Sequence, residues 1–236
     1  MSRPVAILIA GEPIESVKMS RGSYADMMRK VAGSLPLAFA DHDIRTGASL
    51  PEPETFSAVV VTGSSASVTD RADWVLAGEA YLLRAVAASV PVFGVCFGHQ
   101  MLGQALGGLV EKNPRGREIG TVSLELIADD PIFDAARAPL RANATHVDTI
   151  TRLPPGAVAL ARTALEANAA VRFNETTWGV QFHPEMDGAI VRAYVEARRA
   201  ILAGEGLDPE ALLAQIDDGL TGASTLKRFF TSLATR

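Results

Sequence analysis

Four short runs of apolar, largely β-branched residues do most to limit the fold: Val5–Ile9, Ala58–Thr62, Val90–Val95 and Thr177–Phe182. None alternates apolar with polar residues, as a strand with one wet face would. Unbroken apolarity over so few residues fits strands buried on both faces of a sheet. Helical patterns separate the runs. Tyr24–Ala32 carries Met27, Met28 and Val31 at helical spacing, and Trp74–Ser89 is long and amphipathic with Asp70 and Asp73 as candidate caps. Gln100–Leu109 is small and apolar, and Ala189–Leu202 has a clear 3.6-residue period. Strands alternating with helices predict an α/β fold, an open, mainly parallel doubly wound sheet with flanking helices.

The middle of the chain reads differently. Ile119–Ile127 and Val158–Arg162 are predicted strands with few helical signals between them, so a small antiparallel element is expected at one edge. Leu153-Pro154-Pro155-Gly156 is a turn. Residues 1–205 are expected to form one domain. Residues 206–236, with short helices over Pro209–Ile216 and Leu226–Leu233, are expected to pack on it as a helical extension.

Composition narrows the function classes. The net charge is −5 and no basic stripe is present, which argues against nucleic acid as a partner. No run approaches the roughly 18 apolar residues of a membrane span. Val5–Ala10 is too short for a secretory signal and reads as the first strand. The single cysteine cannot form an internal disulfide, which fits a reducing cytoplasm.

That cysteine lies in VPVFGVCFGHQMLGQAL, which reads as strand, tight turn, helix. In parallel α/β sheets, ligands sit at the carboxyl ends of strands, and Cys96 falls at such an end. Gly94 and Gly98 flank it in the pattern of an elbow that exposes a nucleophile on a sharp, crowded turn. The helix that follows favours negative charge on the sulfur. The Phe97 N–H, one residue on, is placed to meet a developing oxyanion. A nucleophilic cysteine needs a base, and the base needs an orienting group. His42, in Asp41-His42-Asp43, reads as a surface residue; His99 is expected to pack beneath the elbow; His146 falls in an expected loop that could line a pocket. His183 is the strongest of the four. It ends an apolar strand, and Pro184 biases it to extended geometry. Glu185, two residues on, shares its side of an extended chain and can hold the imidazole tautomer.

GVCFGHQ together with VQFHPEM resembles the class I, triad-type glutamine amidotransferases, most closely the glutaminase domain of GMP synthase and its stand-alone relatives. The resemblance covers roughly residues 3 to 205 and implies a flavodoxin-like sheet. It implies that Cys96 attacks the side-chain amide of glutamine, His183 shuttles the proton and releases ammonia, and Glu185 orients His183. A γ-glutamyl thioester is then hydrolysed to glutamate. VVVTGSSASVTD resembles the family's glycine-rich oxyanion loop; Gly63 is kept, while Ser64 and Ser65 stand where glycine and proline are common. The resemblance assigns the oxyanion hole to the backbone of Ser64 and Phe97. It places Gln100 beside the substrate glutamine, and through ATHVDTI it nominates His146, Val147 and Asp148 as substrate contacts. Arg117 and Glu118, in a family-like stretch, are either structural or face a partner.

No G-x-x-x-x-G-K-[ST] phosphate loop and no zinc-like ligand spacing is present, so neither a cofactor nor a metal is expected. Three readings follow. The chain is a glutamine amidotransferase acting alone or with a separate ammonia-accepting synthase subunit, or a γ-glutamyl peptidase or amidase using the same triad on a γ-glutamyl compound, or a binding module without turnover. The intact Cys96, His183 and Glu185 argue against the last. The long segment GEPIESVKMSRGSYADMM, after the first strand, is expected to form a wall or lid that helps select the substrate.

Overall fold

The four apolar runs become the centre of one sheet. The computed structural model describes residues 3–133 and 139–235. Its strands are β1 (Val5–Ile9), β2 (Phe39–Asp43), β3 (Ala58–Val61), β4 (Val92–Val95), β5 (Leu109–Lys112), β6 (Glu118–Ser123), β7 (Glu125–Leu126), β8 (Arg141–His146), β9 (Asp148–Arg152), β10 (Val158–Arg162), β11 (Ala170–Asn174) and β12 (Thr177–Val180). Its helices are α1 (Glu15–Arg21), α2 (Tyr24–Ala32), α3 (Asp73–Ala87), α4 (Phe97–Ala105), α5 (Gly188–Ala197), α6 (Arg199–Gly204), α7 (Pro209–Ala214) and α8 (Leu220–Ala234). Among the described residues the main sheet runs β2-β1-β3-β4-β12-β11-β10-β7. The first five strands are mutually parallel, and the remaining pairings are antiparallel. The antiparallel part is larger than the small edge element expected, because β11 joins it. Two further two-stranded antiparallel sheets, β5 with β9 and β6 with β8, stand apart from the main sheet.

Both faces of β1, β3, β4 and β12 are covered, which is why their sequences do not alternate. Val5 and Ile7 of β1 point to a core shared with Met28 of α2 and with Leu226, Phe229 and Phe230 of α8. Ala6 and Leu8 point the other way, toward Leu82 of α3 and Phe97, Met101 and Leu102 of α4. Helix α8 therefore fills one side of the sheet, with Phe229 ring-to-ring against Phe93 of β4 at 5.1 Å. A third cluster gathers Val17 of α1, Tyr24 of α2, Ile190 and Tyr194 of α5, Leu202 of α6 and Leu213 of α7 around Ile119 of β6.

Several boundaries differ from the sequence expectation. Ala189–Leu202 is two helices, because the chain leaves helical geometry at Arg198 (φ −112°, ψ 11°). Ile119–Ile127 is two strands in different sheets. Helix α4 begins at Phe97, not Gln100, and ends at Ala105, after which β5 forms. Neither Asp70 nor Asp73 caps α3. Its N-cap is Ala72, Asp70 closes a 3₁₀ turn, and Asp73 is the first helical residue, where its charge still meets the helix dipole. His42 is half-buried in β2 with its ring edge-on to Phe56 at 5.3 Å, so it is not a surface residue. Among the described residues no helix is long and apolar enough to cross a membrane.

Candidate active site

The carboxyl ends of β1, β3, β4 and β12 meet at one edge of the sheet, beside the point where strand order reverses between β1 and β3. Such crevices are where open α/β sheets bind ligands. Cys96 follows β4 directly, with φ 49° and ψ −101°, as the N-cap of α4. Positive φ in a residue with a Cβ costs of order 1–3 kcal/mol, so the surrounding structure must impose it. Two glycines make the turn sterically possible. A Cβ at Gly94 would lie 2.5 Å from the Gly98 carbonyl oxygen, and one at Gly98 would lie 2.6 Å from that of Val61. The Cys96 N–H is held by Val180 O of β12 at 2.8 Å. As the first residue of α4, Phe97 has an N–H with no intrahelical acceptor, available to a ligand.

His183 lies just past β12. Its N–H donates to Asn143 O of β8 at 2.7 Å, and a tight turn closes with Met186 N donating to His183 O at 3.2 Å. The Asn143 side chain donates to Met186 O at 3.0 Å and locks that turn. The turn aims Glu185 back at the ring, Oε1 to Nδ1 2.7 Å, with the imidazole and the carboxylate both buried. The other carboxylate oxygen, Oε2, is buried with no hydrogen-bond partner among the described residues, so its charge falls chiefly on the imidazole. Burial opposes protonation of His183, but the charges of Glu185 and Cys96 and its hydrogen bonds to both outweigh it and hold its pKa well above the ordinary value. With Nδ1 taken by Glu185, Nε2 is the nitrogen left to exchange a proton with Cys96.

A cavity of about 280 Å³ opens over Cys96, lined also by Ser64, Ser65, Ser67, Gln100, Thr145, His146, Val147 and Asp148, with Arg117 and Arg198 among its walls. Gln100 Nε2 donates to Asp148 O (2.9 Å) and to Gln181 Oε1 (3.0 Å), and Gln181 Nε2 reaches the Cys96 sulfur at 3.5 Å. His146 ends β8 rather than lying in a loop. Its Nε2 pairs with buried Glu118 at 3.1 Å and its Nδ1 with Asp148 O at 3.0 Å, an arrangement that shapes the Val147–Asp148 wall. Glu118 is thus structural, also accepting from Thr163 Oγ1. Arg117 pairs bidentately with Glu205 at 2.7 and 3.0 Å. His99 packs beneath the elbow, as expected. Its burial, and secondarily the charge of His146, push its pKa down to about 3, so it is neutral.

Every residue singled out for the site from sequence therefore converges on one edge of the sheet. Gly63 packs directly against the imidazole, since a Cβ there would lie 2.7 Å from His183 Cε1. The long segment after β1 forms α1 and the start of α2 and packs behind His183, with Val17 and Tyr24 buried in the third core cluster. Tyr24 stacks on His183 at 6.0 Å and its hydroxyl bonds that of Tyr194 at 2.7 Å, which in turn accepts from Ile14 N. Neither tyrosine, nor Gln181, Asn143 or Arg198, was recognised from sequence. Each sits inside an apolar run, a helical period or a polar stretch without a motif.

Comparisons with known proteins give the family. The family model for glutamine amidotransferase class-I matches residues 25–195. The chain belongs to the class I glutamine amidotransferase family. A GMP synthase (glutamine-hydrolyzing) from Thermosipho africanus is 34% identical over 132 residues, covering 55% of this chain and 24% of that protein. A glutamine-hydrolyzing GMP synthase subunit from Pyrococcus abyssi is 35% identical over 99 residues, covering 42% of this chain and 52% of that one. The matches thus span between a quarter and a half of these relatives' lengths. The crystal structure of a glutamine amidotransferase from Methylobacillus flagellatus superposes with a TM-score of 0.77 and 25% identity, covering 100% of this chain and 95% of that one.

Proposed function

We propose that this amidotransferase-family chain carries out the glutaminase half-reaction, with Cys96 as nucleophile. The observation that carries the reading is the conjunction at one strand edge of a strained, glycine-flanked cysteine capping a helix and a buried His183–Glu185 pair at 2.7 Å. His183 takes the thiol proton, and the thiolate attacks the side-chain carbonyl carbon of L-glutamine. The oxyanion forms against the backbone N–H groups of Phe97 and Ser64. As the tetrahedral intermediate collapses, the C–N bond breaks and protonated His183 delivers its proton to the nitrogen, releasing ammonia. Water, deprotonated by His183, then cleaves the γ-glutamyl thioester to glutamate and restores the thiol. Glu185 holds Nδ1–H throughout and supports the imidazolium. Gln100 and the His146–Val147–Asp148 wall position the substrate, with Gly63 admitting the histidine ring. The chemistry needs a reduced thiol and hence a reducing compartment such as the cytoplasm, and it requires no cofactor or metal from the protein.

The relatives named GMP synthase, one of which is itself a glutamine-hydrolyzing subunit, support a partner synthase that takes up the ammonia. A second reading keeps the acyl half of the mechanism and changes only the leaving group, making the chain a γ-glutamyl peptidase or amidase. It is supported by the cationic Arg198 in the cavity wall, because a γ-glutamyl peptide brings one carboxylate more than glutamine does. The test is glutamate and ammonia release from L-glutamine beside amine release from a γ-glutamyl dipeptide. Cys96→Ala should lower both by at least about 10³-fold, the scale of losing a covalent nucleophile. Unchanged turnover in that variant would refute the proposal.

A further inference from the structure

Arg198 occupies the gap between α5 and α6 and lines the cavity over Cys96. Its guanidinium lies over the Tyr194 ring at 4.7 Å, its Nη1 is buried, and Nη1 has no hydrogen-bond partner among the described residues. The other arginine of this cavity, Arg117, is already committed to Glu205 by two hydrogen bonds. Asp148, the acid of the cavity wall, accepts from Ser67 Oγ. Arg198 therefore presents a positive charge, half-buried, next to a second cation and with no carboxylate among the described residues pairing with it. Burial and the nearby charge of Arg117 both disfavour that state. A guanidinium fork held flat on an aromatic ring and stripped of partners is the arrangement that receives a carboxylate bidentately. His183 stacks on Tyr24, Tyr24 bonds Tyr194, and Tyr194 carries Arg198, so two packed rings link the cation to the buried histidine.

We propose that Arg198 is a specificity-determining residue that binds a carboxylate of the γ-glutamyl substrate, with the Tyr24–Tyr194 pair as its support. The inference rests on the γ-glutamyl reading of the site. A γ-glutamyl compound offers two such carboxylates, the α-carboxylate of the glutamyl group and one borne by the leaving amine, and both present the same chemistry to the guanidinium.

Binding and turnover are measured separately so that this inference and the catalytic reading can fail independently. The Cys96→Ala protein and its Arg198→Gln derivative are titrated calorimetrically with L-glutamine, L-glutamine α-amide, γ-glutamylethylamide and γ-glutamylglycine. If Arg198 holds the α-carboxylate, Arg198→Gln weakens all but the α-amide by about 10- to 100-fold, the range of a charge-assisted pair. If it holds a carboxylate on the leaving amine, only γ-glutamylglycine weakens. In both cases Arg198→Lys recovers part of the affinity. Equal changes for all four ligands, no change for any, or no binding of any to the Cys96→Ala protein would overturn the assignment. Turnover of the same compounds by wild type and Arg198→Gln completes the test. Arg198-dependent binding without wild-type turnover refutes the catalytic reading and leaves this one standing. Turnover with unaltered preference in Arg198→Gln refutes this one alone.

Discussion

Gly63→Ala isolates the placement of His183 from every other property of the site. Gly63 does not have positive φ, so alanine can adopt its backbone, and the substitution adds one methyl and no charge. That methyl would lie 2.7 Å from His183 Cε1, and ordinary contact begins at 3.4 Å, so the ring must retreat by about 0.7 Å. The ring has little room to yield, being held by Glu185 on Nδ1 and by Tyr24 on its face. Misplacing a catalytic group by about 1 Å costs on the order of 10²-fold, so kcat/KM for glutamine should fall between tenfold and a hundredfold. Overpacking a buried site costs about 1–3 kcal/mol, or a Tm loss of roughly 2–12 °C at this chain length, so the variant remains folded at 25 °C. Glutamate release and thermal unfolding are measured together, with Gly204→Ala, whose Cβ meets nothing within 4 Å, as control. A folded Gly63→Ala protein with kcat/KM within threefold of wild type would refute the claim that His183 in this position is the working base.

Glu185→Gln keeps a hydrogen-bond acceptor for Nδ1 and removes the charge that counters burial of His183, so the His183 pKa should fall. The imidazolium is then lost at lower pH, and the alkaline limb of the kcat/KM profile should shift to lower pH, with activity reduced about 10²–10⁴-fold; a limb that stays in place contradicts the pairing. Phe229→Ala empties a fully buried site in α8 against Phe93 and should cost about 3–5 kcal/mol, lowering Tm by roughly 6–20 °C in a thermal melt, while kcat at 25 °C stays within a few-fold. A melt shifted by less than 2 °C would mean that α8 is peripheral, not part of the core.

The parallel strands and the cluster of Cys96, His183 and Glu185 were legible in the sequence for different reasons. Val5–Ile9 and Ala58–Val61 are buried on both faces, so nothing but apolar residues survives there and the pattern is unmistakable. Phe39–Asp43, Arg141–His146, Asp148–Arg152 and Ala170–Asn174 were not foreseen as strands. They carry His42, Asn143, Asp148 and Arg172, polar residues that a periodicity argument assigns to loops. Two of these strands stand in two-stranded sheets apart from the main one. Cys96, His183 and Glu185 were legible because each is local to its own turn, set by flanking glycines or proline. Tyr24 meets Tyr194 through a hydrogen bond across 170 residues, and stacks on His183 from an equally remote part of the chain. In sequence both tyrosines look like ordinary members of an apolar helix face. The break at Arg198 was invisible because the apolar period runs straight through it.

The most direct test of the central claim is to quench the protein in acid during turnover of L-glutamine and weigh it intact. The account expects a wild-type fraction heavier by one γ-glutamyl group, mapped to the Cys96 peptide and absent from Cys96→Ala. Glutamine hydrolysis with no adduct on Cys96, and with the Cys96→Ala protein equally active, would contradict it.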